Sequence, residues 1–286
     1  MLMSLKEILA VAEEHDFTVG AFNVTESSMF RAVVETAEKN ESPAIIAAAT
    51  NEFAFAGREF YAYVVSRLEK SRLPFALHLD HGHSLEDCVR AVQAGFTSVM
   101  IDGSLLPYEE NVALTRKAVE LGRGAGVSVE GEIGTIGINA GAEEGGVEGI
   151  VYTDPDTVLD FIERTGVDAL AVAIGTAHGQ YPKGFKPHLR LDILQDIRSL
   201  TDVPLVLHGG SDNPDEEIEE GCRMGIRKVN ISSDFKVAYY EGIRKHLNET
   251  DDFYPAKVLP FGMAQVERVV AHKMKLFHSI GASRFY

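Results

Sequence analysis

Eight short runs rich in small and β-branched apolar residues recur along the chain, and longer segments with helical periodicity separate them. The runs are Val19–Asn23, Ala44–Ala48, Phe75–Asp80, Ser98–Asp102, Val127–Glu132, Asp168–Ile174, Pro204–His208 and Arg227–Ile231. Between them, apolar residues at three- and four-residue spacing predict helices at Ser28–Lys39, Leu85–Ala94, Glu109–Gly122, Pro155–Thr165, Leu191–Leu200 and Pro214–Met224. Strands separated by helices of this length pair in parallel through right-handed crossovers. Eight such units close on themselves, so the expected architecture is a (β/α)8 TIM barrel, with the last segment, about Gly262–His278, either an additional helix or an extension of the eighth unit. A length of 286 residues with 45% hydrophobic content matches one such domain, residues 1–286, able to bury a sizeable core.

Charge and cysteine usage exclude several partners and chemistries. A net charge of −16 without a basic stripe repels phosphate backbones and anionic membranes, so neither nucleic acid nor a membrane is an expected partner. Cys88 and Cys222 lie far apart within helical stretches, a pattern of buried thiols in a reducing compartment and not of a disulfide framework or a cysteine zinc site. Met1–Ala10 carries Lys6 and Glu7 in an amphipathic pattern instead of a signal peptide's apolar run, and the chain reads as cytoplasmic. Assembly as a homodimer or homotetramer is expected.

Strand alternation shows where the chemistry lies. Leu77 and Leu79 point to one side of their strand and His78 and Asp80 to the other; likewise Val129 opposes Glu130 and Glu132, and Leu207 opposes His208. Polar residues thus gather in the interior and at the strand ends, the face of this architecture that carries active sites. A lone buried His or Asp is usually a hydrogen-bonded core group, but several strand ends acting together favour a site. His81, His178 and His208 stand at or just beyond strand ends and form a three-imidazole set suited to catalytic Zn2+. His78 is expected one layer deeper and His83 at the start of the next helix. Asp80 projects inward, placed to exchange a proton with a hydroxyl held near a metal. Asp102 and Glu132 either hold a second divalent or monovalent cation or orient His81. The glycine-rich stretch Gly134–Gly149, with Glu143 and Glu144, is either a mobile loop that carries a carboxylate inward or an ordinary solvated loop. His208-Gly-Gly-Ser211 and Asn230-Ile-Ser-Ser-Asp234 each lead into a helix, and backbone N–H groups at such loops favour phosphate.

Taken together, Leu77-His-Leu-Asp-His81, Ser98-Val-Met-Ile-Asp-Gly-Ser104, Ser128-Val-Glu-Gly-Glu-Ile-Gly134, Leu170-Ala-Val-Ala-Ile-Gly-Thr-Ala-His-Gly179, Leu205-Val-Leu-His-Gly-Gly-Ser211 and Lys228-Val-Asn-Ile-Ser-Ser233 make a specific combination. Over nearly its whole length the chain resembles the class II, metal-dependent ketose-bisphosphate aldolases, with the tagatose-type branch nearest. The resemblance implies reversible cleavage of a ketose 1,6-bisphosphate, tagatose or fructose 1,6-bisphosphate, to dihydroxyacetone phosphate and glyceraldehyde 3-phosphate. It implies Asp80 as the proton donor or acceptor, His81, His178 and His208 as ligands of a catalytic zinc acting as Lewis acid, and Asp102 and Glu132 as a second cation site. Gly179, Gly209, Gly210, Ser211, Asn230, Ile231, Ser232 and Ser233 then hold the dihydroxyacetone phosphate half, and Glu143 or Glu144 returns a proton to carbon. Lys236, in the first turn of the helix after the eighth strand, is a candidate clamp for a distal phosphate. Departures from the family pattern fall on the aldehyde side: Ala49, with Thr50 next to it, replaces a usual Ser or Thr; Ala256 replaces a usual arginine; and the Glu143–Glu144 loop diverges. A Schiff-base route lacks a lysine in the sixth strand, and Lys228 lies too deep in the eighth. A zinc-dependent sugar-phosphate epimerase or another ketose 1-phosphate aldolase are the competing enzymes, and a non-catalytic binding protein is the third possibility.

Overall fold

The computed structural model describes residues 1–139, 146, 148–185 and 187–286. Eight parallel strands close in the order β1 (Val19–Asn23), β10 (Ile226–Ile231), β9 (Leu205–Leu207), β7 (Ala169–Val172), β5 (Ser128–Ile133), β4 (Ser98–Ile101), β3 (Phe75–Gly82) and β2 (Ala44–Ala49). A separate two-stranded sheet pairs β6 (Gly137–Ile138) with β8 (Ala177–His178) outside the ring. The fold is therefore the expected TIM barrel. Each expected run lies on one barrel strand, although the sixth is shorter than expected. Its run leaves the ladder after Val172 and turns at Gly175, where φ is +131° and a Cβ would sit 2.3 Å from the carbonyl oxygen of His188.

The helical layer consists of α1 (Leu5–Glu14), α2 (Ser27–Lys39), α3 (Thr50–Glu69), α4 (Leu85–Gln93), α5 (Tyr108–Ala125), α6 (Val158–Thr165), α7 (Leu191–Leu200), α8 (Asp215–Arg223), α9 (Ser233–Glu249) and α10 (Pro255–Leu276). Helix α3 was not among the expected segments, because Gly57, at φ +78°, breaks its periodicity with a kink. The expected terminal helix begins earlier, at Pro255, and packs against α9 and α2. No helix among the described residues is long and apolar enough to cross a membrane.

Alternation along the strands divides the apolar residues into two cores. Leu77, Leu79, Val99, Val129, Leu205 and Leu207 pack outward against the helices. Val19, Ala21, Ile45, Ala76, Ala169, Ala171 and Val206 fill the bottom of the barrel interior, and Leu5, Ile8, Leu9 and Ala12 of α1 plug it. Serine at the N-cap of α1 forms a capping box with Glu7, which fixes that plug in place. Above the apolar floor lies a fully buried polar layer. Lys228 donates to both oxygens of Glu130, at 2.9 and 3.1 Å, while His78 binds Ser98 at 2.8 Å. His78 therefore occupies the deeper position expected for it. The layer offsets its own desolvation by pairing, since an unpartnered charge at this depth would cost several kcal/mol, about 3–5.

Candidate active site

Strict alternation would put neighbouring Asp80 and His81 on opposite faces of β3, yet both side chains are buried at the barrel mouth. The reason is local. His81 takes φ +48°, a left-handed conformation uncommon outside glycine, and the β3–β4 register shifts between Leu79 and Gly82. The irregularity turns the imidazole inward beside the carboxylate. Backbone strain of this kind persists where surrounding contacts over-determine it.

The three histidines meet at this point. Their ligand atoms lie within 4.8 Å of one another, and the ring of His81 stands 4.8 Å from His178 and 4.6 Å from His208 between centroids. Two of the rings are held from behind by carboxylates. His81 Nδ1 binds Asp102 at 2.9 Å, which leaves Nε2 directed into the site without a hydrogen-bond partner among the described residues. His208 Nε2 donates to Glu130 at 2.8 Å, so its Nδ1 is turned toward Asp80 and Asn230, 3.7 Å from the Asp80 carboxylate and 3.4 Å from Asn230 Nδ2. Carboxylates behind imidazoles set tautomer and orientation in metal sites, and a buried, partnerless Nε2 is what a metal ligand looks like without its ion. The triad therefore fits a zinc site. Burial, reinforced by the charge of His81, holds His178 well below its ordinary pKa and also lowers His208. Burial disfavours the charged form of His81 too, but Asp80, the Asp102 hydrogen bond and Glu132 outweigh it and carry its pKa up to about 10.

Asp80 is fixed by two amides: Asn23 Nδ2 donates to one oxygen at 2.9 Å and Asn230 Nδ2 to the other at 2.8 Å. Burial would raise its pKa, but the fields of His81, His208 and Lys228 hold it well below the carboxylate range. The carboxylate is thus held toward its ionised form and oriented by the two amides. Asp102 and Glu132 come together with His81 in a second cluster. Burial and the nearby Asp102 charge push Glu132 well above its ordinary pKa, and its Oε2 lacks a hydrogen-bond partner among the described residues. A cation there would relieve both.

One cavity at the mouth is lined by Asn23, Asp80, His178, Gly179, Gly209, Ser211, Asn230, Ser232 and Ser233. At its wall the Ser211 hydroxyl accepts from the N–H groups of Ser232 and Asp234, at 3.2 and 3.3 Å, occupying the place an anion's oxygen would take at the start of α9. Gly209, at φ +63°, brings the loop close enough that a Cβ would meet the Ala177 carbonyl oxygen at 2.8 Å. Gly210 donates its N–H to Asn230, whereas the Ile231 side chain faces the outer core and contributes only backbone at the mouth. Thr50 opens α3 next to Ala49, and Lys236 contacts the Glu52 carboxylate and lies 2.8 Å from Ser232 Oγ. Glu143 and Glu144 lie outside the described residues.

Sequence reasoning missed Asn23 and Glu52 and gave Glu130 no task. Asn23 was accessible to the strand-end argument, since it closes an apolar run as Asp80 and His208 do. Nothing local marks Glu52, whose partners Asn23 and Lys236 lie 29 and 184 residues away.

A barrel mouth that joins a buried three-histidine cluster to a carboxylate held between two amides has the make-up of a metal-dependent enzyme site. The family described as fructose-bisphosphate aldolase class II matches residues 3–282. A 6-phospho-5-dehydro-2-deoxy-D-gluconate aldolase of Bacillus licheniformis is 39% identical over 284 residues, covering 98% of this chain and 96% of the relative. A fructose-bisphosphate aldolase of Geobacillus stearothermophilus is 38% identical over 286 residues, covering 98% of each. Among solved structures, the YdjI aldolase from Escherichia coli K12 superposes with a TM-score of 0.86 at 32% identity, covering 98% of this chain and 99% of the other. The chain belongs to the class II fructose-bisphosphate aldolase family. It is accordingly a class II aldolase, a carbon–carbon lyase of a metal-dependent family acting on sugar phosphates.

Proposed function

We propose that the protein cleaves an open-chain ketose 1-phosphate between C3 and C4, releasing dihydroxyacetone phosphate and an aldehyde, with Asp80 as general base. The convergence of Asp80 with three buried imidazoles beside a cavity lined by glycine and serine loops carries this reading. His81 through Nε2, His208 through Nδ1 and His178 would hold Zn2+, and Asp102 with Glu132 a second divalent or monovalent cation. Bound zinc supplies Lewis acidity that draws electron density from the C2 carbonyl. The protein's own groups do the rest. Gly179, Gly209–Ser211 and Asn230–Ser233 bind the phosphate and the carbons next to it through backbone N–H groups and hydroxyls. Asn23 and Asn230 orient Asp80 to take the C4 hydroxyl proton. As the C3–C4 bond breaks, the O4–C4 bond becomes the aldehyde carbonyl and the bonding pair remains at C3, delocalised toward O2. A proton returned to C3 completes dihydroxyacetone phosphate, and Glu143 or Glu144 is the proposed donor.

Tagatose and fructose 1,6-bisphosphate are the bisphosphate members of this substrate class. The compound named for the Bacillus licheniformis relative shares its essential feature, a ketone next to the phosphorylated carbon. Screening these together with ketose 1-phosphates for dihydroxyacetone phosphate, coupled to its reduction by NADH, tests the proposal. Chelator-sensitive release from at least one substrate is expected. Epimerised sugar phosphate in place of cleavage products would assign the site to proton transfer instead.

The loop assignment has its own measurement. Removing both Glu143 and Glu144 should slow exchange of the C3 proton of dihydroxyacetone phosphate with deuterium, followed by NMR, more than it weakens binding of that ligand. An unchanged exchange rate would return both residues to the solvated-loop reading.

A further inference from the structure

We propose that Tyr181 is a positioning residue that joins the His178 strand to the loop after β9, so that metal and phosphate each tighten the other's binding. The inference rests on the proposed metal and phosphate sites and adds the device that links them. Its basis is the unequal support of the three imidazoles. His81 lies on β3 and His208 directly follows β9, both strands of the barrel, and carboxylates hold their rings. His178 ends β8, which lies outside the barrel in a two-residue pairing with β6. So short a ladder fixes a strand weakly, and where this imidazole stands depends on other contacts.

Tyr181 supplies them. Its hydroxyl accepts the N–H of Ala177, the residue before His178, at 2.8 Å. Burial pushes the phenol up to about 12, so the hydroxyl stays protonated and donates to Asn213 Oδ1 at 3.4 Å. The Tyr181 N–H donates to Asp212 Oδ2 at 2.8 Å. His178 is thus enclosed between Ala177 and Tyr181, two points that one side chain ties together and fastens to the loop after β9. That loop is itself anchored: the Asp212 N–H donates to Asp234 Oδ1 at 2.9 Å, and Asp234 pairs with Lys273 of α10 at 2.9 Å. Asn213 Nδ2 donates to the carbonyls of Gly209 and Ser211, at 2.6 and 2.7 Å, and both of these residues line the cavity with His178 and Gly179. An anion bound there fixes the loop, the loop fixes Tyr181, and Tyr181 fixes His178. A metal on His178 acts along the same chain in reverse, and linkage makes the two effects equal.

Zn2+ affinity is measured by competition with a chromophoric chelator, with and without saturating inorganic phosphate, and phosphate affinity by calorimetry with and without Zn2+. In the wild type each ligand should tighten the other by the same factor, about 5-fold or more. Tyr181→Phe leaves the Ala177 N–H without its acceptor; it should weaken Zn2+ binding by about 10-fold or more and bring the coupling factor close to one. Asp212→Gly accommodates the left-handed backbone at φ +56°, removes the acceptor of the Tyr181 N–H and keeps that of Ala177. Its Zn2+ affinity without phosphate should hold while the factor again falls. No coupling in the wild type, or a factor that either variant leaves unchanged, would overturn the role of Tyr181 and leave the proposed cleavage intact. A wild-type protein that binds no Zn2+ or no phosphate would instead overturn the proposed site itself. The wild-type measurement and Asp212→Gly keep the test decisive if Tyr181→Phe fails to fold.

Discussion

Treatment with a chelator is expected to abolish carbon–carbon cleavage, and Zn2+ or Co2+ to restore it. Three imidazoles buried at one point form a nitrogen site that suits these ions. A metal held there would take up the electron pair left at C3. Among the described residues, the lysine beneath the site, Lys228, is fully buried and bound to both oxygens of Glu130, so it is not free to form a Schiff base. Borohydride should therefore trap no adduct with dihydroxyacetone phosphate. His208→Ala should lose metal as well as activity, because it removes one ligand and the hydrogen bond that Glu130 makes behind it. Elemental analysis of the purified variant reads the first loss and the coupled assay the second. Full activity in metal-free protein, or a trapped lysine, would refute the metal-dependent route.

Replacement of Asp80 by Asn should lower turnover by about 10²-fold or more while zinc remains bound, the usual worth of a positioned proton acceptor. Asn23 and Asn230 each donate an N–H to this side chain, so an amide in its place meets a donor on one side and is also misdirected. Zinc content should hold, since the Asp80 carboxylate stands 4.0 Å from His81 Nε2 and 3.7 Å from His208 Nδ1 and is not one of the three imidazoles. The variant should still exchange the C3 proton of dihydroxyacetone phosphate, a reaction that leaves O4 out. Near-normal turnover would make Asp80 a structural partner of the two asparagines. Loss of exchange and zinc together would place it among the groups that hold the metal site.

Local physics made much of the protein legible from its residues. The alternation of two-residue and 3.6-residue periods marks the strands and crossover helices, and eight repeats admit closure, so the barrel followed without reference to distant contacts. Period-two alternation also showed that His78, Asp80, Glu130 and His208 face inward. Elements without a continuous period escaped: β6 and β8 have two residues each, and the long helix α3 is kinked at Gly57.

What the sequence by itself determined was the class of the fold, the end of the barrel that carries chemistry and the residue types available there. Tertiary structure decided how those residues are used. Alternation separates Asp80 from His81, and only the left-handed turn and register shift, which depend on pairing with β4, bring them together. Glu130 became the support of His208 across 78 positions of chain, and Glu52 the partner of Lys236 across 184. Hydrogen bonds and charges act over a few ångströms of space, and a distance in space between groups so far apart in the chain is set by closure of the barrel, not by any local spacing of residues.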